Sequence, residues 1–223
     1  MTTPPRPKIS ISLSLDPKSY TFDNPTPPIL SLTLTCHAAR PITLFTWNTP
    51  LDPSSGMSQA HFPITDLSTT PPTPIPQSSI RIQRAPISRA RGSGDEPYYL
   101  TLDPNTSVTV STRFARGGKD SGPRPQPRSV VERGWEIDEE TGEERKTRRS
   151  VRGCGVDGLE SGRRYRVDVE KQAIERCWWR YGTKEDVMVE EGSREWNLSE
   201  LEPGEGELEV VEGEVAWVEF QVL

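Results

Sequence analysis

The chain opens on strict alternation. In residues 8–15, Ile9, Ile11, Leu13 and Leu15 fall on one side of an extended backbone, and Ser10, Ser12 and Ser14 on the other. A period of two sends alternate side chains to opposite faces, so this pattern predicts a strand with one face in a core. Residues 29–36 repeat it through Leu30, Leu32 and Leu34, and residues 42–47 follow after Arg40-Pro41. Further strands are expected at 80–83, 98–102, 107–114, 165–169, 187–189, 196–198, 208–211 and 215–222. In the last, Val218, Phe220 and Val222 form the apolar face, while Trp217, Glu219 and Gln221 share the other. Asp103-Pro104-Asn105 reads as the turn joining 98–102 to 107–114, and residues 172–176 as one helical turn. Short strands punctuated by Pro, Gly and Asp are the pattern of an antiparallel β-sandwich. The expectation is an all-β (mainly) single domain over residues 1–223.

Composition changes one part of that picture. Only 32% of residues are hydrophobic, mean hydropathy is -0.67, and there are 22 prolines. Such a chain has too little apolar surface to fold throughout. The deficit concentrates in residues 115–155, which open on Gly117-Gly118-Lys119-Asp120 and run almost wholly charged from Glu139 to Arg152. This stretch is expected to be a disordered insert within the sandwich, tolerated because loop-closure entropy grows slowly with length.

Charge and punctuation at the ends narrow the function classes. Residues 185–223 hold thirteen carboxylates against one basic residue, Arg194. An acidic end argues against nucleic-acid binding, which needs a basic stripe to displace counterions, and favours a basic protein partner. The first residues carry no apolar leader and no run reaches the roughly 18 apolar residues of a membrane span, so the expected location is cytoplasmic. Arg145-Lys146-Thr147-Arg148-Arg149-Ser150-Val151-Arg152 is a candidate nuclear-import signal, weighed against a solvated loop balanced by the glutamates before it.

Candidate chemistry is sparse. Zinc would have to draw on Cys36, His37, His61, Cys154 and Cys177, none of them in the close pairs that structural zinc sites use. Three cysteines without motif spacing read as reduced thiols. Cys177 and His61 are the one formal nucleophile–base pairing, and nothing in the sequence brings them together. Arg116-Gly117-Gly118-Lys119-Asp120 fails the phosphate-loop pattern at both ends. Catalytic residues, cofactor and metal are therefore all assigned as none.

Val156 to Val169 carries a family resemblance. Leu159, Gly162 and Tyr165 leading an alternating strand resemble the tyrosine corner of immunoglobulin-like and fibronectin-type-III sandwiches, which implies a structural hydroxyl on Tyr165. The segments Leu13-Ser14-Leu15, Ile42 to Leu51 and Leu102 to Val110 are similar to the β-sandwich pro-region of fungal deuterolysin-type metalloproteases. The protease's His-Glu-x-x-His motif is absent, so that likeness implies a fungal-style sandwich and not a protease.

Trp178-Trp179-Arg180-Tyr181 is the densest aromatic stretch. Adjacent residues on a strand face opposite ways, so one tryptophan is expected in the core and the other at a partner surface, with Tyr181 beside it. The alternative packs both rings inside. The functional reading is a non-catalytic protein-binding module, an adaptor or structural subunit. Its rival is a motif-less, cofactor-free enzyme of the isomerase or cyclase type, with Tyr98, Tyr99, Trp179 and Tyr181 lining a pocket between the sheets.

Overall fold

The alternation of the first strand is realised residue by residue: Ile9, Ile11, Leu13 and Leu15 are all buried, and the serines between them are not. The structure, a computed structural model, describes residues 6–22, 26–77, 87–115, 126–138, 141–146, 155–190, 206–212 and 216–223. In chain order the elements are β1 (Lys8–Asp16), β2 (Ser19–Tyr20), β3 (Ile29–Cys36), β4 (Ile42–Phe45), α1 (Pro53–Ser58), β5 (Ile64–Asp66), β6 (Thr73–Pro74), β7 (Tyr99–Leu102) and β8 (Ser107–Arg113). Then come α2 (Arg128–Arg133), β9 (Trp135–Ile137), β10 (Glu144–Lys146), β11 (Arg164–Asp168), α3 (Lys171–Glu175), β12 (Trp179–Tyr181), α4 (Lys184–Val187), β13 (Glu209–Glu212) and β14 (Trp217–Val222).

These strands form three principal sheets and a separate hairpin. The first sheet has the order β13-β1-β3-β8, the second β2-β14-β11-β5-β6 and the third β12-β4-β7, while β9 and β10 pair alone. All pairings are antiparallel except β1 with β13 and β14 with β2. One contiguous apolar cluster joins the inward residues of β1 and β3 to Ile64, Tyr165, Val167, Val218, Phe220 and Val222 of the second sheet. The same cluster takes in Ile42, Leu44, Leu102 and Trp179 of the third. All three principal sheets thus face one shared core. The fold is mainly β and sandwich-like.

The outward face of the first sheet is a lattice of hydroxyls. Register places Ser14, Ser31 and Ser111 in one row, Ser12, Thr33 and Thr109 in the next, and Ser10, Thr35 and Ser107 in the third. Ser31–Ser111, Thr33–Thr109 and Thr35–Ser107 are hydrogen-bonded side chain to side chain, each at 2.8 Å. Small β-branched and hydroxyl side chains suit a pleated face and pair across it.

The turn expected at residues 103–105 does join β7 to β8, and the two strands belong to different sheets. One expectation is corrected. Residues 187–189 are not a strand: Lys184–Val187 is helical because Thr183 and Asp186 form a reciprocal capping box that satisfies the first amides. Of the stretch expected as an insert, 115–155, the described residues hold α2 and the β9–β10 hairpin. Gly134, at φ 71, closes α2 in the left-handed conformation that glycine adopts without strain. The rest of that stretch, and the strands expected at 80–83 and 196–198, lie outside the described residues.

Polar contacts explain why α2 and its hairpin are held. Asp66 is fully buried at the end of β5, and its Oδ2 accepts from Arg128 Nη2 and Arg163 Nη1, both at 2.9 Å. Its Oδ1 accepts from the Ser68 N–H at 2.9 Å. Gln126 then ties the segment to residues 155–158. Its N–H donates to the buried Asp157 carboxylate at 2.8 Å, and its carbonyl accepts from Gly158 at 2.8 Å. Gly158 sits at φ +85 with Ile75 only 2.9 Å from where a Cβ would stand, so any side chain there is strained and Ile75 would have to shift. Gln126 Oε1 completes the junction by accepting from the Ile137 N–H at 3.0 Å.

Burial acts to raise the Asp66 pKa, but the Ser68 amide and the two guanidiniums more than offset it and hold the carboxyl below its usual range. A carboxyl depressed in the folded state stabilises the fold above the unfolded pKa, near about 4, and that contribution fades as pH falls through the folded value. Urea unfolding should therefore show Asp66→Asn about 3 kcal/mol less stable at pH 7, with the gap to wild type closing below about pH 4. A gap unchanged down to pH 2 would contradict the role given to this carboxylate.

Candidate functional site

The paired tryptophans sit where β12 enters the third sheet. Trp179 lies opposite Leu44 and faces the main core at 2% exposure, its Nε1 donating to the Gly206 carbonyl at 2.7 Å. Trp178 points the other way, as alternation requires. That side is not a surface: Trp178 is 8% exposed and packs with Phe45, Tyr99, Val187 and Met188 in a second cluster. Its ring meets Tyr99 edge-on at 5.8 Å, and Tyr99 in turn lies 5.0 Å from Phe45. The third sheet is covered on both faces, by the main core on one and by α4 with the segment before β7 on the other. Both rings are thus enclosed, as in the alternative that packs the two tryptophans inside. Tyr181 is half-buried, edge-on to Trp179 at 5.2 Å, with the Arg40 guanidinium 4.1 Å from its ring centroid.

Tyr165 stands in β11 directly opposite Asp66 of β5 and is fully buried, stacked on Phe220 at 5.6 Å. Its hydroxyl accepts the Glu160 N–H at 2.9 Å, tying the turn before β11 to the strand. Glu160 also grips Arg163 at 2.6 Å, and Arg163 reaches Asp66, so the corner and the buried carboxylate belong to one network.

The candidate chemical groups do not converge. Cys177 is in the main core, where burial pushes its thiol up to about 12; burial also raises the Cys36 thiol, against a hydrogen bond from the Ala38 amide. Thiols held protonated are poor nucleophiles and poor ligands. His61 bonds the Glu170 carboxylate through Nδ1 and the Asn48 carbonyl through Nε2, so neither nitrogen is left to serve Cys177. Among the described residues no three His, Cys, Asp or Glu side chains gather as metal ligands. Cys154 lies outside them.

One nucleophile–base spacing went unread in the sequence: Ser10 Oγ and His37 Nε2 are 2.9 Å apart. They lie on the open outer face of the first sheet, without a cleft or a third residue among those described to orient the imidazole. Such a pair lacks the desolvation and oxyanion donors that acyl transfer requires.

Two surface features remain. Trp217 is 43% exposed on the outer face of the second sheet, with the Arg166 guanidinium 5.9 Å from its ring centroid. Around it lie the ion pairs Arg164–Glu219 at 2.7 Å and Arg166–Asp168 at 2.9 Å. The second feature is a cleft of about 330 Å³ lined by residues of β7, β8 and the start of α1, with Tyr98 and Tyr99 among its walls. Trp179 and Tyr181 do not line it. No helix among the described residues is long and apolar enough to cross a membrane.

The chain matches no protein-family model, no curated protein and no solved structure. The immunoglobulin-like and deuterolysin pro-region resemblances thus rest on the residues that carry them.

Two substitutions separate packing from binding here. Trp178→Ala and Trp179→Ala should each cost about 3–5 kcal/mol in chemical denaturation, since both rings are enclosed; a loss under 1 kcal/mol at either would mean that ring is a surface contact. Tyr165→Phe should cost about 1–3 kcal/mol by stranding the Glu160 amide, with an unchanged melting temperature as the contrary result.

Proposed function

We propose that this chain is a non-catalytic β-sandwich module that binds a protein partner through the outer face of its second sheet, centred on Trp217. The observation that supports it most is the exposure of Trp217, which opens β14 on the outward side of the second sheet, opposite Asp168. The core side of β14 is complete without it, because Val218, Phe220 and Val222 fill that side. A large ring left outside, with Asp168 opposite it, the Arg166 guanidinium near its face and Glu219 two residues on, has the anatomy of an interface anchor with a polar rim. The partner the sequence favours is basic, matched to the carboxylates of residues 185–223. Adaptor or structural-subunit roles, in the cytoplasm or nucleus, follow from this reading.

The cleft beside Tyr98 favours a second reading, a small-ligand site of the kind a motif-less isomerase or cyclase would need. The catalytic part of that reading has less behind it. The fully buried carboxylates are engaged elsewhere, Asp66 by two guanidiniums and an amide and Asp157 by the Gln126 amide.

Trp217→Ala should leave the melting temperature within about 2 °C of wild type, because the ring is exposed, and weaken capture of the partner from native lysate at least tenfold, a change of about 1.4 kcal/mol. Full retention of every stoichiometric partner by the variant would overturn this assignment.

A further inference from the structure

The ladder between β3 and β8 fixes which backbone groups of β8 face outward. At one end Cys36 N–H donates to the Thr106 carbonyl at 3.1 Å, and at the other Phe114 N–H donates to the Pro28 carbonyl at 2.7 Å. Between these anchors the register runs without a bulge from Thr35↔Ser107 to Ile29↔Arg113. In an antiparallel ladder hydrogen-bonded pairs recur every second residue. Residues 106, 108, 110, 112 and 114 therefore bond inward to β3, and the N–H and C=O groups of Ser107, Thr109 and Ser111 point away from the sheet. Among the described residues no strand pairs with that edge.

Edges of this kind are normally guarded by proline, lysine, a bulge or an inward-pointing charge. The run Ser107-Val108-Thr109-Val110-Ser111-Thr112 has none of these before β8 ends on Arg113, although α1 packs beside the strand at Val110 and Ser111. The cleft of about 330 Å³ opens beside it, lined by Asp52, Pro53, Pro97, Tyr98, Val110 and Ser111 among others. Val110 points toward the inner layer, so a residue opposite Val110 on an added strand would send its side chain toward this cleft. Asp52 supplies the cleft's one charge. Its Oδ2 accepts only from the Ser55 hydroxyl at 2.7 Å, and no basic side chain among the described residues pairs with it.

We propose that β8 is a strand-addition site for an extended segment of a partner protein, with a lysine or arginine of that segment seated in the Tyr98–Asp52 cleft. Main-chain bonds to residues 107, 109 and 111 give the affinity. The apolar walls take the methylene stem, the Tyr98 ring and the Asp52 carboxylate take the cationic head, and this pocket selects the sequence. The neighbouring residues of the segment would extend the hydroxyl rows of the outer face, which suits Ser or Thr at the flanking positions. The site does not rest on the Trp217 face, which lies on the other sheet, so each can fail without the other.

The test uses three synthetic probes read by heteronuclear NMR on the full chain: acetyl-Val-Thr-Lys-Thr-Val-amide and its analogues with norleucine or Glu at the centre. The lysine peptide should bind saturably, shift the amides of Ser107, Thr109 and Ser111, and bind at least tenfold tighter than the Glu peptide. Asp52→Asn keeps the bond to Ser55 yet should erase the preference for lysine over norleucine. Thr109→Pro removes an outward N–H while leaving the inward ladder intact, and should abolish binding of all three peptides in a variant whose melting confirms the fold. Equal affinity for the three peptides, binding that survives Thr109→Pro, or saturation of the edge by a second copy of the chain in sedimentation would each overturn the proposal. So would no shift at residues 107–111 up to millimolar lysine peptide.

Discussion

A single buried carboxylate holds three parts of this molecule in register. Asp66 closes β5, faces Tyr165 across the pair with β11, and receives the guanidiniums of Arg163 from the turn before β11 and of Arg128 from α2. A charge this enclosed costs several kcal/mol to desolvate, and only close partners recover it. Once Asp66 is placed, Arg163 must come to it. Glu160 follows Arg163, and the Glu160 amide then reaches the Tyr165 hydroxyl. The charged stretch is drawn in by the same requirement, because without Arg128 the carboxylate would lack one of its two cations.

Around that polar point the apolar architecture is simple. The first sheet spends one face on the core and the other on a hydroxyl lattice that needs no cover. The second sheet spends its outer face on ion pairs and leaves Trp217 among them. The third sheet alone is buried on both sides, and it carries the aromatic density of the chain. Function is proposed where this division leaves something unspent: a large ring on the second sheet, and an edge that no described strand pairs with, beside an open cleft.

Strands with one wet face were legible because period two encodes them directly. β1 and β3 have the expected bounds to within a residue, and in β14 the exposed Trp217 and buried Phe220 fall on the faces that alternation assigns. The fate of Trp178 was not legible. Alternation sent it away from the core correctly, but that a helix and a loop cover that side depends on contacts nearly a hundred residues apart, such as the Arg89 side chain donating to the Val187 carbonyl. Thr183 and Asp186 did advertise the helix that ends at Val187, where a strand was expected to begin, since a Thr followed three residues later by an acid is a start signal. The order within the charged stretch was hidden for a different reason. Its anchors are polar, Arg128 and Gln126, and hydropathy counts such residues as solvent-facing whether or not a buried partner awaits them.

The claim that polar anchors make residues 126–137 an integral part of the sandwich is tested most directly by amide hydrogen exchange on the native protein. The Gln126 N–H, held by Asp157, and the Ile137 N–H, held by the Gln126 side chain, should be protected together with Val130 and Val131 of α2, at a level approaching the strands of the second sheet. Exchange of those four amides at the rate of an unstructured peptide, while β11 and β14 stay protected, would contradict it.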